Sequence, residues 1–207
     1  MAFVRAIVAA YARYGVDPAA ALRQAQITPQ RLREAAGLIT AAQFEALSAY
    51  AMQELDDEAL GWFGRRLPWG SYGLLCRGSV PATTLGVALK RWCRQHRLLT
   101  DDVLLQLQTD GGSAILRIDE RRALGELREF CLVTLLRYLH GFACWAIDSR
   151  IALGQVDFPF AAPAHASVYP LLFPGPVRFG ADAAGFRFDA QYLALPLVRD
   201  EVATRAM

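Results

Sequence analysis

Apolar positions in the first third of the chain recur at helical spacing and are cut into short segments by strong punctuation. Residues 2–14 are alanine-rich and stop at Gly15. Asp17 is placed to cap a second helix with Pro18 at its first position, a slot where a missing N–H costs nothing. Thr28-Pro29 repeats the device ahead of residues 30–36. Thr40 with Gln43 reads as a capping box before Phe44, Leu47, Ala51 and Leu55, and Asp56-Asp57 ends that helix. The pattern predicts a helical segment over residues 1–66.

From Trp69 the period changes. Tyr72, Leu74 and Cys76 alternate with Gly73, Leu75 and Arg77, which predicts a strand. Thr83 or Thr84 then caps a helix with Leu85, Ala88, Leu89, Trp92 and Cys93 on one face. Residues 103–108 and 114–118 form two strands, joined at a turn centred on Asp110-Gly111-Gly112. Residues 124–147 read as a long helix, apolar around most of its circumference and therefore central. A strand over 151–160, a short helix from Pro163 to Phe173, and strands at 177–179 and 186–188 complete the pattern. The expected fold is α+β. An N-terminal helical segment leads into a duplicated strand-helix-strand-strand unit, with the long helix between the repeats. Residues 1–66 and 67–199 are expected to form one compact domain with a concavity between the repeats.

Composition narrows the function classes. Of 207 residues, 54% are hydrophobic and 20% charged, enough apolar material for a core and against disorder. Net charge is +2, Lys90 is the one lysine, and acidic and basic residues interleave, as in residues 117–122. No basic stripe marks this chain for strong nucleic-acid or membrane binding. The longest apolar run, residues 130–147, is interrupted by Arg137 and His140 and is too short to span a bilayer. No secretion signal is evident. Cys76, Cys93, Cys131 and Cys144 lie far apart in apolar segments, as expected of reduced core thiols in a cytoplasmic protein.

Candidate chemistry is sparse. The glycines of Gly70-Ser71-Tyr72-Gly73 precede the expected strand and lack the lysine of a phosphate loop. Cys93 with His96 and His140 with Cys144 have spacings that share a helix face, but no paired-cysteine motif accompanies them; no metal or other cofactor is expected. Cys144 beside His140 is either a thiol–imidazole pair or a packed thiol next to a polar residue. No serine-nucleophile elbow is present, and Ser79 is expected to satisfy local backbone groups before Pro81. No catalytic residue is assigned. Arg137 stands out on the central helix. It pairs with Glu126, Glu129 or another acid, reaches water, or anchors an acidic group on a ligand. Trp69 and Tyr72, bordered by glycines, serve either the core or a pocket mouth.

Several stretches together carry a family resemblance: Tyr14-Gly15-Val16-Asp17-Pro18, Ala25-Gln26-Ile27-Thr28-Pro29, Leu60-Gly61-Trp62-Phe63-Gly64, Pro68-Trp69-Gly70-Ser71-Tyr72-Gly73, Phe173-Pro174-Gly175-Pro176-Val177-Arg178-Phe179 and Leu193-Ala194-Leu195-Pro196-Leu197. In this order, over residues 10–199, the chain resembles the N-terminal arabinose-binding-like effector domain of AraC-type transcriptional regulators. The resemblance implies a cytoplasmic bacterial sensor, not an enzyme, that binds a small molecule and acts on DNA only through a C-terminal helix-turn-helix domain. It further implies that residues 200–207 begin a linker to such a domain, which this sequence lacks. A homodimer is expected, and no membrane partner. The effector is expected to have an apolar body with room for an acidic group, lined by Trp69, Tyr72, Cys76, Trp92, Arg137 and His140. Two alternatives are a self-association module without a ligand and a thiol enzyme using Cys144 and His140.

Overall fold

The computed structural model describes residues 1–34 and 37–200. These residues divide into two units, Met1–Ser71 with Leu124–Phe130, and Tyr72–Ala123 with the chain from Cys131 onward.

Cap residues set the helices of the first unit. Helix α1 (Ala2–Tyr14) buries Val4, Ile7, Ala10 and Tyr11 and ends at Gly15 in a left-handed conformation, φ 66°. Helix α2 (Ala19–Gln24) starts one residue later than expected; Pro18 precedes it, and Asp17 Oδ1 accepts the Ala19 N–H at 3.0 Å. Thr28 caps α3 (Pro29–Arg33), and the end of the expected 30–36 helix runs beyond the described residues. The Thr40–Gln43 capping box is complete at the start of α4 (Ala41–Glu54). Phe130 centres the aromatic core of this unit, 5.4 Å from the Phe3 ring and 5.2 Å from Trp62. The Tyr11 hydroxyl donates to Glu54 Oε2 at 2.6 Å, tying α1 to the end of α4.

After α4 the chain wraps around a buried carboxylate. Asp57 is fully buried and accepts four hydrogen bonds: Ala59 and Leu67 N–H on Oδ1 (3.0 and 2.9 Å), Gly61 N–H and the Tyr14 hydroxyl on Oδ2 (both 2.7 Å). Its neighbours act alike. Asp56 accepts from Trp69 N–H at 2.9 Å, and Glu58 from Gly70 N–H at 3.0 Å. These bonds hold Asp56 and Leu60 at φ 46° and 45°, conformations that side chains other than glycine rarely adopt. Three consecutive acids therefore organise a loop whose only evident sequence role is to end a helix.

The second unit begins with a correction. Residues 71–79 are not a strand but helix α5 (Ser71–Ser79). Tyr72, Leu75, Cys76 and Ser79 are its buried positions, a 3.6-residue period, while Leu74 is 60% exposed. The first half of the expected repeat is therefore helix-helix-strand-strand. Helix α6 (Leu85–Leu99) is capped by Thr84 and buries Leu85, Ala88, Leu89, Trp92, Cys93 and His96. A Cβ at Gly78 would meet the amide end of the Gln95 side chain at 2.6 Å, a flexible group that can move aside.

Strands β1 (Val103–Asp110) and β2 (Ser113–Glu120) form the expected hairpin, with Gly111 and Gly112 at φ 52° and 84° as a tight hairpin turn demands. Helix α7 (Arg128–Ala146) is the long central helix, preceded by a 3₁₀ turn at Gly125–Leu127. The second half follows the expected order: β3 (Gln155–Phe158), a 3₁₀ turn leading into α8 (Tyr169–Leu172), β4 (Val177–Phe179) and β5 (Ala184–Asp189). One five-stranded sheet results, ordered β1-β2-β5-β3-β4, antiparallel except for the β3–β4 pair. The two halves join where β2 pairs with β5, Ala114 opposite Phe188 and Leu116 opposite Phe186. Phe158 gathers Tyr169, Phe173 and Phe179 around β3 at ring separations of 5.1, 5.6 and 6.1 Å. The fold is α+β as expected.

Candidate functional site

The buried faces of α5, α6 and α7 meet in a cluster of aromatic rings. Tyr72 stacks on Trp92 at 6.3 Å and meets Tyr138 edge-on at 5.1 Å; Trp92 lies 4.8 Å from Phe142. His96, one turn beyond Trp92, places Nε2 3.5 Å from the Tyr72 hydroxyl. Burial drives His96 down to a pKa of about 4, so the imidazole is neutral at physiological pH. The same burial pushes the Cys93 thiol up to about 12 and keeps it protonated. This interior is aromatic, uncharged and polar at a few atoms only.

Two of those atoms have no partner. Trp92 is 2% exposed, and its indole Nε1–H makes no hydrogen bond; Ser79 is fully buried, and neither does its hydroxyl. The sequence-based expectation that Ser79 would bond local backbone is corrected. The α5 geometry turns it inward on the face that carries Tyr72 and Cys76. A buried donor left unmade costs roughly 1–3 kcal/mol.

The expected pocket residues are distributed as follows. Tyr72, Cys76 and Trp92 lie on the buried faces of α5 and α6. His140 is buried on α7 against the Phe186 ring, and its Nε2–H donates to the Ile151 carbonyl at 2.9 Å. Cys144 Sγ lies 3.5 Å from that nitrogen and accepts the Ile151 N–H at 3.4 Å. His140 and Cys144 thus clasp Ile151, and the nitrogen nearest the sulfur is engaged as a donor. Arg137 is exposed. Its guanidinium donates to the Leu172 carbonyl at 2.6 Å and lies 6.0 Å from the Phe173 ring centroid; of the expected alternatives, the exposed side chain matches an arginine that reaches water. Trp69 belongs to the first unit and is 49% exposed. All four cysteines are outside disulfides, and no group of three or more metal-ligating side chains is found among the described residues.

Sequence reasoning missed two features of the second unit. A groove of about 440 Å³ opens between the first turns of α6 (Thr84, Val87, Lys90), the end of β1 (Leu107, Gln108, Thr109) and the 3₁₀ turn at Ala190–Ala194. The chain leaving that turn is strapped to both central helices. Leu85 N–H donates to the Leu195 carbonyl at 2.9 Å, and Leu193 packs so closely that a Cβ on Gly86 would meet its carbonyl at 3.1 Å. Further on, Val198 N–H donates to the Ala146 carbonyl at 2.9 Å and Arg199 Nε to the Trp145 carbonyl at 3.1 Å. Arg199 also pairs with Asp148, and its guanidinium lies 5.9 Å from the Trp145 ring centroid. Trp145 in turn lies 6.2 Å from Phe142. A continuous run of side chains, Tyr72–Trp92–Phe142–Trp145–Arg199, connects the aromatic interior to the departing chain. No sequence pattern signals it, because its members come from four segments.

None of the described helices is long and apolar enough to cross a membrane. The chain is 27% identical over its whole length to an ornithine utilization regulator from Pseudomonas aeruginosa, of which it spans 61%. Its fold is similar to that of the transcriptional regulator CdpR, also from Pseudomonas aeruginosa, with a TM-score of 0.55 at 19% identity over 90% of this chain and 58% of that one. The chain thus spans about three-fifths of each of these regulators. The model of the N-terminal arabinose-binding domain of AraC transcription regulators matches residues 15–197. The chain belongs to that family of bacterial regulatory domains.

Proposed function

We propose that the chain is the effector-sensing part of a cytoplasmic AraC-type regulator, that its small-molecule effector enters the aromatic interior between α5, α6 and α7, and that DNA is contacted by a segment outside this chain. Residues 67–199 carry the sensing function, and residue 200 onward leads toward the DNA-binding part. The carrying observation is the unbroken path of side chains from Tyr72 to Arg199. An effector biases a regulator only through different affinity for two states. A molecule that separates Tyr72 from Trp92 also moves Phe142 and Trp145, and with them the anchor of the departing chain.

The relative's name points to ornithine. At this interior an ornithine ammonium finds no matching acid: the buried polar residues of the second unit are Ser79, His96, Thr100 and His140. The test is native mass spectrometry of the purified chain, followed by a ligand-bound structure. A discrete co-purified small molecule, lost in Trp92→Ala while the fold persists by circular dichroism, is the expected result. An effector seated away from α5, α6 and α7 overturns the reading.

Self-association is a second reading, with exposed apolar side chains of the same unit as its surface candidates: Leu74 at 60%, Leu98 at 76% and Leu171 at 86%. Mass measurement by light scattering, with and without effector, distinguishes a constitutive homodimer from a ligand-dependent one.

A further inference from the structure

We propose that the effector group reaching the interior of the second unit is an uncharged hydrogen-bond acceptor, of the ketone, ester or amide class, carried on an apolar, aromatic-sized body. This inference rests on the effector-site reading above and departs from the sequence-based expectation of an acidic group held by Arg137.

Three observations carry it. The Trp92 Nε1–H is buried without an acceptor, and an indole N–H can only donate. A ligand oxygen is what it lacks. The Ser79 hydroxyl, buried and unpartnered on the inner face of α5, can donate to a second lone pair or accept from an amide N–H. Neither atom brings a charge. The buried faces of the same two helices also carry the Tyr72 hydroxyl and the His96 imidazole, 3.5 Å apart, and burial holds that imidazole neutral at physiological pH. A carboxylate here would lose its hydration without gaining a cation, and an ammonium would lose it without gaining an acid. The guanidinium of Arg137 is exposed and donates one N–H to the Leu172 carbonyl. A neutral carbonyl meets the unpaired donors and avoids the penalty of a buried charge. Its apolar body replaces ring–ring contacts of the kind that Tyr72, Trp92 and Phe142 make with one another.

The experiment uses four probes of matched size: acetophenone, benzoate, benzylammonium and toluene. Each is added at millimolar concentration to the wild-type chain and to Trp92→Phe and Ser79→Ala, with thermal melting and tryptophan fluorescence as readouts. Acetophenone is expected to raise the melting temperature of the wild type more than toluene does, and the two ions to leave it unchanged. Trp92→Phe keeps an aromatic ring but deletes the donor, so acetophenone should lose about tenfold in affinity relative to toluene. Unliganded Ser79→Ala should melt no lower than the wild type, because it loses no hydrogen bond. If benzoate or benzylammonium is preferred and the preference is lost in Trp92→Phe, the site stands and the ligand class is overturned. If a probe response ignores both substitutions, the effector-site reading falls with it. If none of the four probes shifts the melting temperature, the interior does not open to this class and the proposal fails.

Discussion

The loop that follows α4 and the interior between α5, α6 and α7 both bury polar groups, and they treat them in opposite ways. In the loop, Asp57 receives four donors, and its neighbours Asp56 and Glu58 each close a backbone N–H from the chain at Trp69 and Gly70. In the interior, an indole N–H and a hydroxyl are buried and left unmade. The first arrangement spends its polar atoms on fixing a backbone that would otherwise not hold its positive φ values. The second keeps its polar atoms uncommitted in an apolar surround. Buried polar groups are almost always satisfied when their role is structural. Ser48 Oγ of the first unit is also buried without a partner, so the contrast lies between the loop and the interior rather than between the two units; it bears on the receptor proposed above and can be attacked from either side.

The largest effect is expected at Asp57. Asp57→Ala removes the acceptor for three backbone N–H groups and the Tyr14 hydroxyl at once, leaving buried donors unmade. A loss of about 4 kcal/mol is expected, enough to unfold the first unit of a marginal domain. Urea denaturation measures it. Asp57→Asn should cost less, since one amide oxygen still accepts, but its NH₂ then faces donors. If Asp57→Ala were as stable as the wild type, the loop would not be the scaffold described here.

His96 gives the next largest effect, through pH. Its folded-state pKa, about 4, lies below the ordinary histidine value of 6.5, so the unfolded chain binds this proton more readily. The stability contributed by neutral His96 is complete above pH 6.5 and falls as pH drops toward 4. The full loss is about 3 kcal/mol. Below pH 4 this group contributes no further slope. His96→Gln should remove its share of the slope between pH 6.5 and 4, leaving that of His140, whose pKa burial also lowers. A wild-type profile that is flat between pH 6.5 and 4 would show that water reaches the ring, and the interior would no longer be the dry receptor of the comparison.

Much of this architecture could be read from local signals. The Thr40–Gln43 box, the Thr28 and Thr84 caps, Gly15, and the Asp110-Gly111-Gly112 turn each satisfy backbone groups within a few residues, and each appears where the pattern puts it. Helix α5 was hidden because Tyr72, Leu74 and Cys76 alternate over a stretch too short to tell a period of 2 from 3.6. Its inner face continues at Leu75 and Ser79, and Leu74 points outward. Glycines at 73 and 78 weaken the helical signal. The acceptor role of Asp57 was illegible for another reason. One of its donors, the Tyr14 hydroxyl, is 43 residues away, and adjacent aspartates at a helix end carry no mark of burial. The site shows the same limit. Tyr72, Cys76 and Trp92 stood out by residue type, whereas Tyr138, Phe142 and the Arg199 anchor become neighbours only when α6 and α7 pack together.

Ser79→Ala sharpens the comparison with a smaller effect of opposite sign to Asp57→Ala. Removing a hydroxyl that makes no bond relieves its desolvation and leaves a methyl in an apolar surround. A gain of about 1 kcal/mol is expected in urea denaturation. A loss instead would mean that the hydroxyl is bonded in solution, and the interior would then resemble the loop.

Arg199→Ala is expected to change stability least and signalling most. Its pair with Asp148 lies at the surface, with 33% and 69% of the two side chains accessible, so its loss costs about 0.5 kcal/mol. The Arg199 Nε bond to the Trp145 carbonyl and the packing on the indole add a little more. None of these contacts touches Tyr72 or Trp92, so effector affinity should stay within about twofold, the change expected when an exposed, distant pair is removed. What the substitution breaks is the side-chain link between the aromatic interior and the departing chain, while the backbone bonds from Leu85 to Leu195 and from Val198 to Ala146 remain. In a regulator that joins this chain to the DNA-binding segment proposed above, the Arg199→Ala variant should still bind effector, and transcription from a target promoter should follow effector concentration less steeply. Binding by titration calorimetry and reporter output must be measured on the same protein. If reporter output stays coupled to effector at wild-type amplitude, the strap is only a tether and the signal leaves the receptor by another face. If affinity falls as far as output, Arg199 supports the interior itself, and the division between receptor and output element is drawn in the wrong place.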